Sequence, residues 1–342
     1  MADRWLLIET FGGPGHGEPS IIAVGRTPKQ MVSLASVLGR GRYLEDIRAL
    51  LARVADSREP VREISRDARR QMIGLPLSVA GRVHGVYVWT GDPGEEPPGR
   101  DPAGAWLFNL TRDVTIRSDD LFDLYGVVVP ENRQYERRIA EMFGRLTTNA
   151  DEASALAVLV RSRPGDEHQA TWAVRREDNG QLRAANFACR VIAEQDENGQ
   201  EEVIIRGISH DIGAAEETPS APRTMVLAQQ VVAAEKQPGK HRAIINLRTL
   251  TLIRWVEGDD PMPGVAWQLD AEHPPAIHPD DLPLAKQMSA RLAKETAVEG
   301  TLRVRSVTGG WMQVAVTANL MLLDQHTTAA LVSVSDPGTA TA

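Results

Sequence analysis

At 342 residues the chain is long enough for two or three domains. Apolar residues make up 42% and charged ones 25%, the balance of a globular protein rather than a disordered one. A net charge of -8 argues against sequence-independent nucleic-acid binding, which needs a basic face to release counterions.

The first residues, Trp5-Leu6-Leu7-Ile8, read as a short apolar strand that Glu9 ends, too short for a signal-peptide core. No stretch approaches the roughly 18 apolar residues that span a bilayer. The single cysteine, Cys189, supports neither an intrachain disulfide nor a CxxC metal knuckle. A soluble cytoplasmic protein without membrane insertion is expected.

Thr27-Pro28 followed by Gln30 and Met31 predicts a helix start with proline in the first turn. Leu44, Ile47, Leu50, Leu51 and Val54 recur at threes and fours, an amphipathic helix. Residues 91–102, rich in proline, glycine and acid, predict a linker that can neither pair as a strand nor continue a helix. Trp106-Leu107-Phe108-Asn109-Leu110 opens a second strand region, and residues 135–143 and 153–160 read as helical with a break at Gly144. Trp172 and Val174 oppose Thr171, Ala173 and Arg175 along a strand, and Asn179-Gly180 follows as a hairpin turn. Phe187, Cys189 and Val191 then share one strand face.

Residues 213–222 predict a second linker. Thr224 caps a predicted helix over 224–236 that carries Leu227 and Val231 on one face. Ala243-Ile244-Ile245-Asn246-Leu247 begins a third strand region. Asp280 or Asp281 caps a helix through Leu284, Met288 and Leu292, with Pro283 in its first turn. Leu302 and Val304, a Gly309-Gly310 turn, and Met312, Val314, Val316 and Ala318 complete a second hairpin. The tail from Pro337 is small and polar.

The three regions end alike, in Val86–Asp92, Ile204–Asp211 and Leu331–Asp336. A recurrence at domain-sized spacing predicts three similar modules over 1–92, 105–212 and 224–336. Each runs strand, helices, antiparallel meander, which predicts an α+β fold with a central antiparallel sheet flanked by helices.

The middle region resembles a PAS domain through Trp106–Leu110, Ile116–Phe122, Arg175–Gly180 and Arg206–Ile212. The third is similar through His278-Pro279-Asp280-Asp281-Leu282 and Gly309-Gly310-Trp311, and the first through Gly81-Arg82-Val83-His84-Gly85 suits a PAS or a GAF module. The whole chain is similar to a mycobacterial three-domain sensor family of PAS–GAF–PAS type. That order makes the middle module the GAF, whereas its residues match PAS; which module is which stays open. The resemblance implies tandem PAS/GAF-like folds, binding of a small molecule or protein, and relay to a separate effector. The alternative is a scaffold whose modules bind no ligand.

Motifs for chemistry are sparse. Gly207-Ile208-Ser209-His210-Asp211 lacks the final glycine of a nucleophile elbow, and neighbours on a strand point to opposite faces. Gly12–Gly17 lacks the lysine of a phosphate-binding loop. His273 and His278 with Asp280 and Asp281 read as capping residues rather than metal ligands, so no metal is expected. No motif indicates a cofactor, and no kinase, cyclase or helix-turn-helix signature occurs; no enzymatic activity is expected.

Trp172, Phe187, Cys189 and Val304 are the ligand-pocket candidates, as apolar inward positions of the meanders. Cys189 reads as buried and inert. Trp311, Arg303 and Arg305 share the polar face of the last hairpin and, with Leu227 and Val231, are the interface candidates. For Trp311, stacking on an arginine of its own sheet stands equally open.

Overall fold

The computed structural model describes residues 4–12, 17–143, 152–161, 163–215, 238–256 and 261–337. They fall into two compact units. The first comprises Met1–Thr111, Thr115–Tyr135 and Arg163–Pro222, the second Arg112–Val114, Glu136–Ser162 and Arg223–Ala342.

The first unit opens with β1 (Leu6–Glu9), β2 (Ser20–Val24), β3 (Thr27–Ser33), α1 (Leu34–Leu38), α2 (Arg42–Ser57), β4 (Val61–Ile64), β5 (Gln71–Val79) and β6 (Arg82–Gly91). The strands form one antiparallel sheet in the order β3-β2-β1-β6-β5-β4. Period-two alternation gives this sheet two apolar faces. Leu6, Ile8, Val86 and Val88 pack under Leu44, Ile47, Leu50, Leu51 and Val54 of α2, at the spacing the sequence shows. Burying one such side chain is worth about 1.5–3 kcal/mol.

The opposite face carries Trp5, Leu7, Ile73, Tyr87 and Trp89 and meets a second sheet through Ala103, Ala105, Leu107, Ile204 and Ile208. That sheet is built from β7 (Ala103–Asn109), β8 (Val114–Arg117), β10 (Glu167–Arg175), β11 (Leu182–Gln195) and β12 (Glu201–Ala214); β9 (Glu136–Arg138) belongs to the second unit. Its order is β10-β11-β12-β7-β8. The helix α3 (Asp119–Tyr125) sits on β7, and Ser118 Oγ accepts from Leu121 N at 3.3 Å as its cap.

The second unit holds α4 (Ile139–Phe143), α5 (Glu152–Arg161), β13 (His241–Ile245), β14 (Leu252–Trp255), α6 (Leu282–Arg291), β15 (Ala297–Arg305), β16 (Trp311–Leu322) and β17 (Thr328–Ser335). Its sheet runs β14-β13-β17-β16-β15. In all three sheets the last strand pairs with the first: β6 with β1, β12 with β7, β17 with β13. The recurring closing signature therefore marks three strands that pair on both sides.

The expected fold class is corrected. Among the described residues strand accounts for about 45% and helix for about 20%, so the chain is mainly antiparallel sheet and fits poorly to helix-flanked PAS/GAF-like α+β modules. One face of the first sheet is covered by a sheet rather than by helices. The α4 and α5 segments, which lie between strands of the second sheet in sequence, cluster with the third. There Leu269 N donates to Glu141 Oε1 at 2.9 Å, and Arg161 faces Asp324 at 3.8 Å.

Two local readings also change. Residues 27–33 form an edge strand instead of a helix start, because the Gly25 turn folds them back onto β2. Proline fits both a first helical turn and an edge strand, since neither position needs its N–H. Tyr135 precedes the helix: residues 136–138 are strand and the helix begins at Ile139. The predicted helix 224–236, with Leu227 and Val231, the break at Gly144 and residues 13–16 of the glycine-rich loop lie outside the described residues.

Candidate functional site

An apolar cavity of about 210 Å³ lies in the second unit between its sheet and α6. The sheet supplies Leu302, Val304, Val316 and Ala330, and α6 supplies Ala285 and Met288. The helix turns Ala285, Met288 and Leu292 inward while Leu284 is exposed, so the buried stripe steps by three and then four. Met288 rests over Gly300 of β15, where a Cβ would come to 2.8 Å from its sulfur.

The remaining wall is the segment from Val265 to Ile277, fixed to β15 by backbone bonds. Ala266 N donates to Arg305 O at 2.9 Å, Arg305 N to Ala276 O at 2.9 Å, and His278 N to Arg303 O at 2.8 Å. Polar groups on the cavity wall are few. Ser289 Oγ donates to Leu247 O at 2.9 Å. Trp255 is 6% exposed, and its buried indole N–H has no hydrogen-bond partner among the described residues. A buried donor left unpaired is costly, so an acceptor arriving in the cavity would gain that bond.

The start of α6 is latched to β15. Arg303 donates to Asp281 through Nη2 at 2.6 Å, Nε at 3.0 Å and its backbone N at 2.7 Å. These bonds hold the Asp281 carboxyl down at about 2. Asp281 stands at the cap position, yet its carboxylate serves Arg303 and makes no cap bond to the helix; His278 Nδ1 accepts from Asp280 N at 3.2 Å instead. Trp311 lies under the Arg305 guanidinium, 3.9 Å from the ring centroid, and edge-on to His278 at 4.6 Å. All three polar-face candidates of this hairpin are thus engaged within their own unit.

Of the four pocket candidates, Val304 lines this cavity. Trp172, Phe187 and Cys189 belong to the first unit. There Trp172 meets Phe187 edge-on at 5.3 Å, and Phe187 also contacts Trp106 at 6.4 Å and His168 at 5.5 Å. The result is an aromatic cluster on the second sheet. Burial pushes the Cys189 thiol up to about 12. The native protein is therefore expected to resist alkylation by iodoacetamide at pH 8 and to take up one label only after denaturation, read by intact mass.

Ser209, His210 and Asp211 do not converge. Ser209 Oγ accepts from Trp106 Nε1 at 3.1 Å, and Asp211 is held by Arg183 at 2.9 Å. Among the described residues no group of three or more His, Cys, Asp or Glu is placed to hold a metal. Among them, too, no helix is long and apolar enough to cross a membrane. Trp255 escaped the sequence reading because Leu252-Ile253-Arg254-Trp255 carries no motif; its one signal is an aromatic donor at the end of a short strand.

Three family descriptions match the chain: Rv3651-like N-terminal over residues 4–99, Rv3651-like middle domain over 102–211, and Rv3651-like C-terminal domain over 225–341. A crystal structure of an uncharacterised protein from Mycobacterium tuberculosis superposes with a TM-score of 0.82 at 29% identity, covering 98% of this chain and 96% of that one. A sensory box histidine kinase/response regulator from Burkholderia thailandensis E264 (TM-score 0.25, 19% identity, 33% of this chain and 79% of that one) is too distant to bear on the fold. An RNA-binding light-oxygen-voltage receptor (TM-score 0.26, 10% identity, 68% and 95%) is equally distant. No curated protein matches. The chain belongs to the three-domain Rv3651-like family.

Proposed function

We propose that this protein is a non-catalytic sensor whose third sheet binds a small apolar molecule and relays the occupancy of that cavity to a protein partner. The observation that carries this reading is the 210 Å³ apolar cavity with Trp255 in its lining, whose buried N–H is unpaired among the described residues. An apolar cavity of roughly 150 Å³ suffices for benzene, so a ligand of roughly ten heavy atoms with one acceptor fits. The α6 helix is the element that would report occupancy: it supplies part of the wall and is tied to the sheet by the Asp281–Arg303 latch. A ligand shifts such an equilibrium only by its differential affinity for the two positions.

Acetophenone and ethylbenzene have similar size and differ in one acceptor. Titration calorimetry should show both binding to the full chain, with acetophenone favoured roughly three- to tenfold by the hydrogen bond. Trp255→Phe should remove that preference. Ala330→Phe, which puts a ring into the cavity, should abolish binding of both while circular dichroism stays native. Tight capture of a partner by a chain that binds neither probe would favour a ligand-free scaffold instead.

A further inference from the structure

The first unit contains a second, chemically opposite cavity. It is more polar, about 360 Å³, and its lining includes Arg4, Arg26, Thr27, Tyr87, Asp101 and His210 beside Trp5 and Pro98. The segment after β6, read from sequence as a linker, forms one wall. Trp5 Nε1 donates to Pro98 O at 2.8 Å, Tyr87 Oη to Asp101 O at 2.9 Å, and Arg26 Nε to Asp101 Oδ1 at 2.6 Å. A stretch with no strand or helix partner is thus strapped across the sheet by side chains.

His210 comes from β12 and stands edge-on to Tyr87 at 6.2 Å. It is 2% exposed, and among the described residues neither ring nitrogen has a hydrogen-bond partner. Burial lowers its pKa to about 4, so the ring is neutral at pH 7, with one N–H to donate. Buried side chains with no partner are rare in native proteins and ask for an explanation. The wall is rich in donors and carries two guanidiniums, Arg4 and Arg26, against one carboxylate, Asp101, which Arg26 already holds. Such a lining suits a ligand that is negatively charged and rich in acceptors.

We propose that this cavity is a binding site for a small oxyanion, a carboxylate or phosphate group, held by Arg4 and the His210 N–H beneath the 98–101 strap. It is independent of the apolar site, which lies in the other unit and takes the opposite chemistry.

The test is titration of the full chain, labelled with ¹⁵N-histidine, with inorganic phosphate and separately with acetate at constant ionic strength. The His210 ring signals are identified by their loss in His210→Leu. A saturable shift of those signals is expected, with affinity weakened about tenfold or more in Arg4→Ala, an exposed position that does not threaten folding. Saturation by phosphate alone assigns phosphorylated ligands, by acetate alone carboxylates, and by both the oxyanion in general. The proposal fails if neither probe gives saturation, which leaves water only in the cavity. It also fails if Arg4→Ala leaves the affinity unchanged.

Discussion

Arg206→Ala should destabilise the first unit by about 3–5 kcal/mol, read as a lowered urea midpoint by tryptophan fluorescence. Arg206 is 2% exposed on β12, on the face turned toward the first sheet. Its Nη1 donates to Phe11 O at 2.6 Å and its Nη2 pairs with Glu194, which Arg82 also approaches at 3.3 Å. Burial, with the nearby Arg82, lowers its pKa to about 10, so it stays charged at neutral pH. Truncation leaves the buried Phe11 carbonyl without its donor and Glu194 with only Arg82 at 3.3 Å. The penalty comes from that orphaned carbonyl and the weakened pair more than from the lost attraction. Arg206→Met with Glu194→Leu, which removes both charges, is expected to cost clearly less than Arg206→Ala alone. A double variant no more stable than the single one would refute this reading of the network.

Gly104→Val should cost about 3 kcal/mol or more and lift α3 from the second sheet. A Cβ at Gly104 would fall well under 3.0 Å from the backbone N and Cα of Leu121. Those atoms open α3, where Ser118 Oγ accepts from both Ala105 N at 3.0 Å and Leu121 N at 3.3 Å. Backbone cannot swing aside as a side chain would. The cap that positions the helix is also bonded to the residue next to the glycine, so moving the helix breaks it. The expected signature is a lowered melting temperature together with faster amide exchange at Leu121 and Phe122. Wild-type exchange there in a stably folded variant would contradict it.

What the sequence disclosed follows the range of the forces involved. The α2 helix was legible because its stripe of Leu44, Ile47, Leu50, Leu51 and Val54 is local and strictly periodic. The three closing strands were legible because each carries a local run of apolar residues, Val86–Trp89, Val203–Ile205 and Ala329–Val332. Thr27-Pro28 misled because one residue pair satisfies two local environments, and the Gly25 turn decides between them only once β2 is in place. The clustering of α4 and α5 with the third sheet, and the burial of one sheet on another, depend on contacts far apart in sequence. No local pattern encodes them, and they are why the helix-flanked expectation failed. At the cavity, Val304 was visible as an inward position of a meander. Trp255 and His210 were not singled out for binding, because what sets them apart is a missing partner, which only a folded environment reveals.

The most direct measurement is a crystal structure of the full chain grown with acetophenone. The aromatic ring is expected between Leu302, Val316 and Met288, with its carbonyl within hydrogen-bond distance of Trp255 Nε1. A closed cavity, with α6 side chains collapsed into the space and acetophenone absent or bound only at the surface, would contradict it.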